Sequence, residues 1–125
     1  MIDKNKMMRI LEMRKKLDRS YNLKPNVLKF NAHSTINHEI CKALVALEIL
    51  KNGGTFYCEP IFLSGKRADL LEIESGTIYE ILHTETDDRL KQKEYPYPII
   101  SLKTKNILQN YKEELYPEER WKKCW

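Results

Sequence analysis

The chain is poor in what would mark a membrane, fibrous or disulfide-built protein. It has no uninterrupted apolar run near the roughly 20 residues a membrane-spanning helix needs. Glycine is used only four times and proline five in 125 residues, which excludes collagen-like and low-complexity architectures. The three cysteines, Cys41, Cys58 and Cys124, are odd in number and fall in no metal-ligand spacing. Cys41 lies in a helical apolar pattern and Cys58 in a strand-like one, so both are expected to serve as small buried hydrophobes. The N-terminus has charges distributed throughout and no apolar core, so it lacks the pattern of a secretory signal. An intracellular, cytoplasmic protein is the expectation.

What is present suits one globular domain. Apolar residues make up 42% of the chain and charged residues 32%, enough for a real core and too ordered a mix for disorder. Residues 1–125 read as a single domain, with a basic N-terminal helix (1–22), a core (35–103) and a C-terminal helix and tail (104–125). The net charge of +4 is unevenly placed: residues 1–20 hold seven Lys/Arg against three Asp/Glu, and the remainder holds fifteen of each. A basic first helix that includes Lys15 and Lys16 would attract an anionic partner such as nucleic acid.

Periodicity assigns the elements. Met7, Ile10, Leu11 and Leu17 recur at helical spacing, with Arg14 the polar member of the stripe, and predict an amphipathic helix ending near Ser20. Ser34, Thr35 and Asn37 supply candidate caps for a second helix, which Asn52-Gly53-Gly54 stops. TFYCEPIFL, RADLLEI and TIYEILH read as three strands, the last two joined by a tight turn at Glu74-Ser75-Gly76; Pro60 suggests an edge or bulge in the first. DDRLKQKE predicts a short charged helix, IISLK a fourth strand, and Ile107, Leu108, Tyr111 and Leu115 a last helix. The expected order is αα-βββ-α-β-α, an α/β fold with a central mixed four-stranded sheet flanked by helices.

Three acids stand out against this pattern. Glu39 projects from the second helix among Ala43, Ala46 and Leu50, where a carboxylate is costly unless a cation meets it or it points into a site. Asp69 and Glu80 are expected mid-strand on the two arms of the hairpin, six and five residues from Ser75, close enough to be neighbours across the strands. Two carboxylates on a largely apolar face repel each other and lose hydration. A hard divalent cation, Mg²⁺ or Mn²⁺, is the usual remedy.

A helix carrying Glu, then a strand, then a hairpin with Asp on one arm and Glu on the other resembles the PD-(D/E)xK, or restriction-endonuclease-like, nuclease superfamily. The likeness covers roughly residues 35–103 and includes the archaeal Holliday-junction resolvase arrangement. It implies that Arg67-Ala68-Asp69 stands for the "PD" element and Glu80-Ile81-Leu82 for "ExK". Asp69, Glu80 and the carbonyl of Ile81 would hold the metal, with Glu39 contributing directly or through water. The motif Lys is replaced by Leu82, and Lys91 or Lys93 is the expected substitute cation. Arg89 and Lys93 on the same charged helix, His38 beside Glu39, and Lys15 and Lys16 are expected to contact DNA, branched or single-stranded forms included. Enzymes of this fold that cut both strands are often dimers, so a homodimer is a further expectation. Two other readings remain open: a descendant of the fold that binds without cutting, and a small α/β interaction module whose acids are paired internally, which Arg67 or Arg14 near Glu39 would support.

Overall fold

The computed structural model describes residues 4–18, 23–82 and 95–112. Its elements are α1 (Lys4–Lys16), α2 (Ile36–Lys51), β1 (Phe56–Cys58), β2 (Leu70–Glu72), β3 (Thr77–Leu82), β4 (Ile99–Lys103) and α3 (Thr104–Asn110). The strands form one sheet in the order β1-β2-β3-β4. The pairs β1/β2 and β2/β3 are antiparallel and β3/β4 is parallel, giving the expected mixed sheet. The helix expected over DDRLKQKE lies outside the described residues. Among the described residues no helix is long and apolar enough to cross a membrane.

Both faces of the sheet are covered, and strand alternation decides which residue serves which side. Tyr57, Leu71, Ile73 and Ile78 pack with Ile10, Met13 and Leu17 beneath α1. Phe56, Cys58, Leu70 and Ile81 pack with Cys41, Val45, Ala46 and Ile49 of α2 and Ile107 of α3. Cys41 and Cys58 are buried free thiols, as expected of small hydrophobes. Cys124 lies outside the described residues.

Several local boundaries depart from the sequence reading. The buried stripe of α1 is Ile10 and Met13, continued by Leu17; Met7 and Leu11 are 44% and 46% exposed. The helix ends at Lys16, because Leu17 leaves it to make a bridge with Phe62. The first strand is only three residues long. Glu59 adopts a positive φ of 52° ahead of Pro60, a backbone state uncommon outside glycine. Ile61 resumes pairing only as an isolated bridge to Arg67. Consequently β2 is also short, and Asp69 lies one residue before it rather than mid-strand.

The entry into α2 follows the capping signal. Thr35 is the N-cap, and its hydroxyl accepts from the His38 amide at 3.1 Å. Asn52 closes the other end, followed by Gly53 at φ 80°. Gly54 then passes so close to the helix that an added Cβ would lie 2.8 Å from the Ile49 side chain. The segment leading to α2 is pinned along β1: the Asn26 amide donates to the Phe56 carbonyl at 2.8 Å and the Phe56 amide donates to Asn26 Oδ1 at 3.0 Å. Three residues on, the Lys29 amide donates to Cys58 Sγ at 3.3 Å.

Candidate functional site

The shortened strands create the site. Since β2 begins only at Leu70, the Ile81 amide has no ladder partner there, and the Asp69 side chain supplies one: Ile81 N donates to Asp69 Oδ2 at 2.8 Å. In return the Asp69 amide donates to Glu80 Oε1 at 3.1 Å. Asp69 and Glu80 are thus neighbours, as the hairpin spacing predicts. Glu80 is buried, and the Tyr95 hydroxyl oxygen lies 3.3 Å from the same Oε1. Tyr95 is held in turn by the Arg67 carbonyl at 2.9 Å.

Glu39 reaches this place from the first turn of α2, and His38 makes the link. His38 Nδ1 lies 2.7 Å from Glu39 Oε2, and Nε2 lies 3.4 Å from Asp69 Oδ1. A neutral imidazole carries only one N–H, so a ring flanked by two carboxylates is favoured as the doubly protonated cation. The Asp69 carboxylate foremost, with Glu39 assisting against the cost of burial, raises the His38 pKa to about 9. His38 thus bridges the carboxylates of Glu39 and Asp69.

The α2 face around Glu39 is not purely apolar, which corrects the sequence reading. Lys42, one turn on, is fully buried, and its ammonium lies 2.7 Å from Glu39 Oε1 and 3.4 Å from Glu59 Oε1. Burial alone would raise the Glu39 carboxyl; the Lys42 ammonium, the Asn31 amide and His38 outweigh it and hold it at about 2. Burial alone would lower the Lys42 ammonium, but Glu39 and Glu59 keep it above its ordinary range. The partner of Glu39 is therefore Lys42, not Arg67 or Arg14. Lys42 and Glu59 both escaped the sequence reading, although Lys42 falls among Cys41, Val45 and Ile49 on the inward stripe.

Among the described residues, four carboxylates (Glu39, Glu59, Asp69, Glu80) and two cations (His38, Lys42) meet here. Among them no three His, Cys, Asp or Glu side chains form a ready-made metal cage. The donors that are present fit a looser arrangement, since Mg²⁺ is commonly held by one or two carboxylates, with water and substrate phosphate completing its shell. Asp69 and Glu80 are the two neighbouring carboxylates that could serve so, although Asp69 Oδ2 is engaged by the Ile81 amide and Oδ1 faces His38. Toward Asp69, Ile81 presents its amide, and a ligand role for its carbonyl remains with the family resemblance. Leu82, at the position of the motif Lys, is 1% exposed. Arg89, Lys91 and Lys93 lie outside the described residues. Lys15 and Lys16 are exposed on the last turn of α1, with the Lys16 ammonium 4.6 Å from the centre of the Tyr97 ring.

The chain matches no family model, no curated protein and no solved structure.

Proposed function

We propose that this chain is a metal-dependent DNA endonuclease that hydrolyses phosphodiester bonds at the Asp69–Glu80 pair. The supporting observation is the continuous link Glu39–His38–Asp69–Glu80, which joins acids from α2, the residue just before β2, and β3. That is the order and placement in which the PD-(D/E)xK resemblance sets its acids. Asp69 and Glu80 would hold Mg²⁺ or Mn²⁺, with the Ile81 carbonyl assisting. When bound, the ion would polarise the phosphate and acidify a water.

The chain's own residues prepare that site. The Ile81 amide turns Asp69 so that Oδ1 faces His38. The Asp69 amide and the Tyr95 hydroxyl orient Glu80. Lys42 keeps Glu39 ionised and fixed on α2. Lys91 or Lys93 is proposed to supply the cationic group that Leu82 cannot, and Arg89, Lys15 and Lys16 to meet the DNA backbone. Cutting both strands would call for two copies, and a homodimer belongs to the same proposal.

One observation favours a second reading, a protein of this fold that binds nucleic acid or a protein partner without cutting. Leu82 is buried, and the two cations of the described site are already engaged by its own carboxylates. Incubation of branched, single-stranded and duplex DNA with Mg²⁺ or Mn²⁺ separates the readings. Cleavage that Asp69→Asn reduces on the order of 100-fold or more, beyond the usual cost of losing an outer-sphere partner, supports the nuclease. Binding without cleavage on every substrate, in wild type and variant alike, selects the second.

A further inference from the structure

Phe30 is 67% exposed, whereas Phe56 and Phe62 are at most 2% exposed. Its exposure does not come from a loose loop. Lys29 on one side is hydrogen-bonded through its amide and carbonyl to Cys58 Sγ, at 3.3 and 3.6 Å. Asn31 on the other side gives its amide to Glu39 Oε1, and its side chain accepts from the His33 amide at 2.9 Å. The ring therefore projects from a backbone fastened on both sides, next in sequence to a residue that touches the carboxylate network. Ordering such a ring on a ligand costs little, because only its side-chain torsions remain to be fixed.

The segment that carries Phe30 is cationic in sequence up to the start of α2, where Glu39 begins the carboxylate site. From Leu23 to His38 the chain carries Lys24, Lys29, His33 and His38 and no Asp or Glu. Lys24, Lys29 and His33 are exposed. An anionic chain lying along this segment meets two exposed lysines, Lys24 and Lys29, and one exposed aromatic ring. In duplex DNA the π-faces of the bases are covered by their neighbours, but an unpaired base offers its face to an aromatic side chain.

We propose that Phe30 is a stacking platform for an unpaired base, making single-stranded or branched nucleic acid the preferred ligand of this site. The proposal rests on the nucleic-acid reading above, but it concerns recognition and is tested without catalysis. Fluorescence anisotropy in EDTA compares the full chain with Phe30→Ala, Phe30→Leu and Phe30→Trp on single-stranded, four-way-junction and duplex oligonucleotides. Phe30→Ala is expected to weaken single-strand and junction binding about tenfold or more, the usual range for one stacked base. Its duplex affinity should change less than about twofold. Phe30→Leu should behave like Phe30→Ala, since it restores bulk without a π-face. Phe30→Trp should keep wild-type affinity and show fluorescence quenching on binding beyond that of Trp121 and Trp125 in the wild type.

Equal losses on duplex and single strand would make Phe30 a general contact or a wedge and overturn the proposal, as would no loss on either. Cleavage by a wild type whose Phe30 variants bind every form normally would sink the stacking role alone. Phe30-dependent single-strand binding with no cleavage would sink the nuclease reading alone. Failure to bind any nucleic acid would remove both.

Discussion

The Asp69 amide donates to the Glu80 carboxylate at 3.1 Å, so the two acids of the hairpin are connected through main chain as well as by proximity. That bond, with the return bond from Ile81 to Asp69, replaces the ladder pairing that β2 is too short to supply. It also fixes the face that Asp69 turns toward His38.

Asp69→Asn should change His38 more than it changes the fold. The amide oxygen still accepts from Ile81, but the negative charge beside the ring disappears. The bond to Asp69 is the largest cause of the raised His38 pKa. An NMR titration of the imidazole should therefore move from about 9 in the wild type toward its ordinary 6.5. A titration unchanged by the substitution would mean that Asp69 does not hold His38.

Lys42→Met should be among the more damaging single changes. It leaves the ionised Glu39 carboxylate buried with its main cation gone, a situation that typically costs about 3–5 kcal/mol. Glu39→Gln combined with Lys42→Met should cost clearly less than the sum of the two singles, because the members of a buried pair are not independent. Urea unfolding of the four proteins measures the coupling. Simple additivity would show that the pair contributes nothing in solution.

Stability of the metal-free protein should peak between about pH 4.5 and 6.5. Folding raises His38 from 6.5 to about 9, so folding favours its protonated form; this contribution is full below 6.5 and lost as pH rises through 9. Folding lowers Glu39 from 4.5 to about 2, so its contribution is full above 4.5 and lost as pH falls through 2. Each limb should amount to something on the order of 2 kcal/mol, since one pKa unit corresponds to about 1.4 kcal/mol and both groups share partners. Thermal melts in EDTA across this range check it, and His38→Gln should flatten the alkaline limb.

Leu82→Lys places an ammonium where a 1% exposed aliphatic side chain now packs. It should destabilise the fold by about 2–4 kcal/mol, whereas Leu82→Met should cost less than about 1.5 kcal/mol. In a protein that binds without cutting, Leu82→Lys should raise Mg²⁺-dependent cleavage above that of Leu82→Met. Equal background from both would remove the missing motif Lys as the reason for inactivity.

Lys15→Glu together with Lys16→Glu should weaken DNA binding on all sequences and flatten its dependence on salt, because fewer counterions are then released. Melting temperature should move little for Lys15, which is exposed, and somewhat more for Lys16, which lies over Tyr97. Equilibrium binding at several salt concentrations reads the slope. An unchanged slope would limit these charges to solubility.

Much of the fold was legible because its signals are local. Thr35 caps α2, Asn52-Gly53-Gly54 ends it, and the turn at Gly76 brings Asp69 and Glu80 together. The face of α1 was not, since apolar residues at 7, 10, 11, 13 and 17 support two stripes and only the sheet chooses Ile10, Met13 and Leu17. Lys42 was missed for a different reason. Lysine is rarely buried without a partner, and one of its partners, Glu59, reaches it from a residue whose positive φ no local pattern announces. Tyr95 likewise joins Glu80 from fifteen residues away.

The pairing of Asn26 and Lys29 with β1 has a consequence for self-association. A bare outer strand invites a strand from another molecule, the usual start of open-ended aggregation. Here the main-chain groups of Phe56 and the thiol of Cys58 are already occupied by the segment before α2. A second copy could extend the sheet at β1 only after peeling that segment away, and with it the Asn31 amide that is bonded to Glu39. Sheet extension at this border would therefore cost the carboxylate network one of the bonds that hold Glu39.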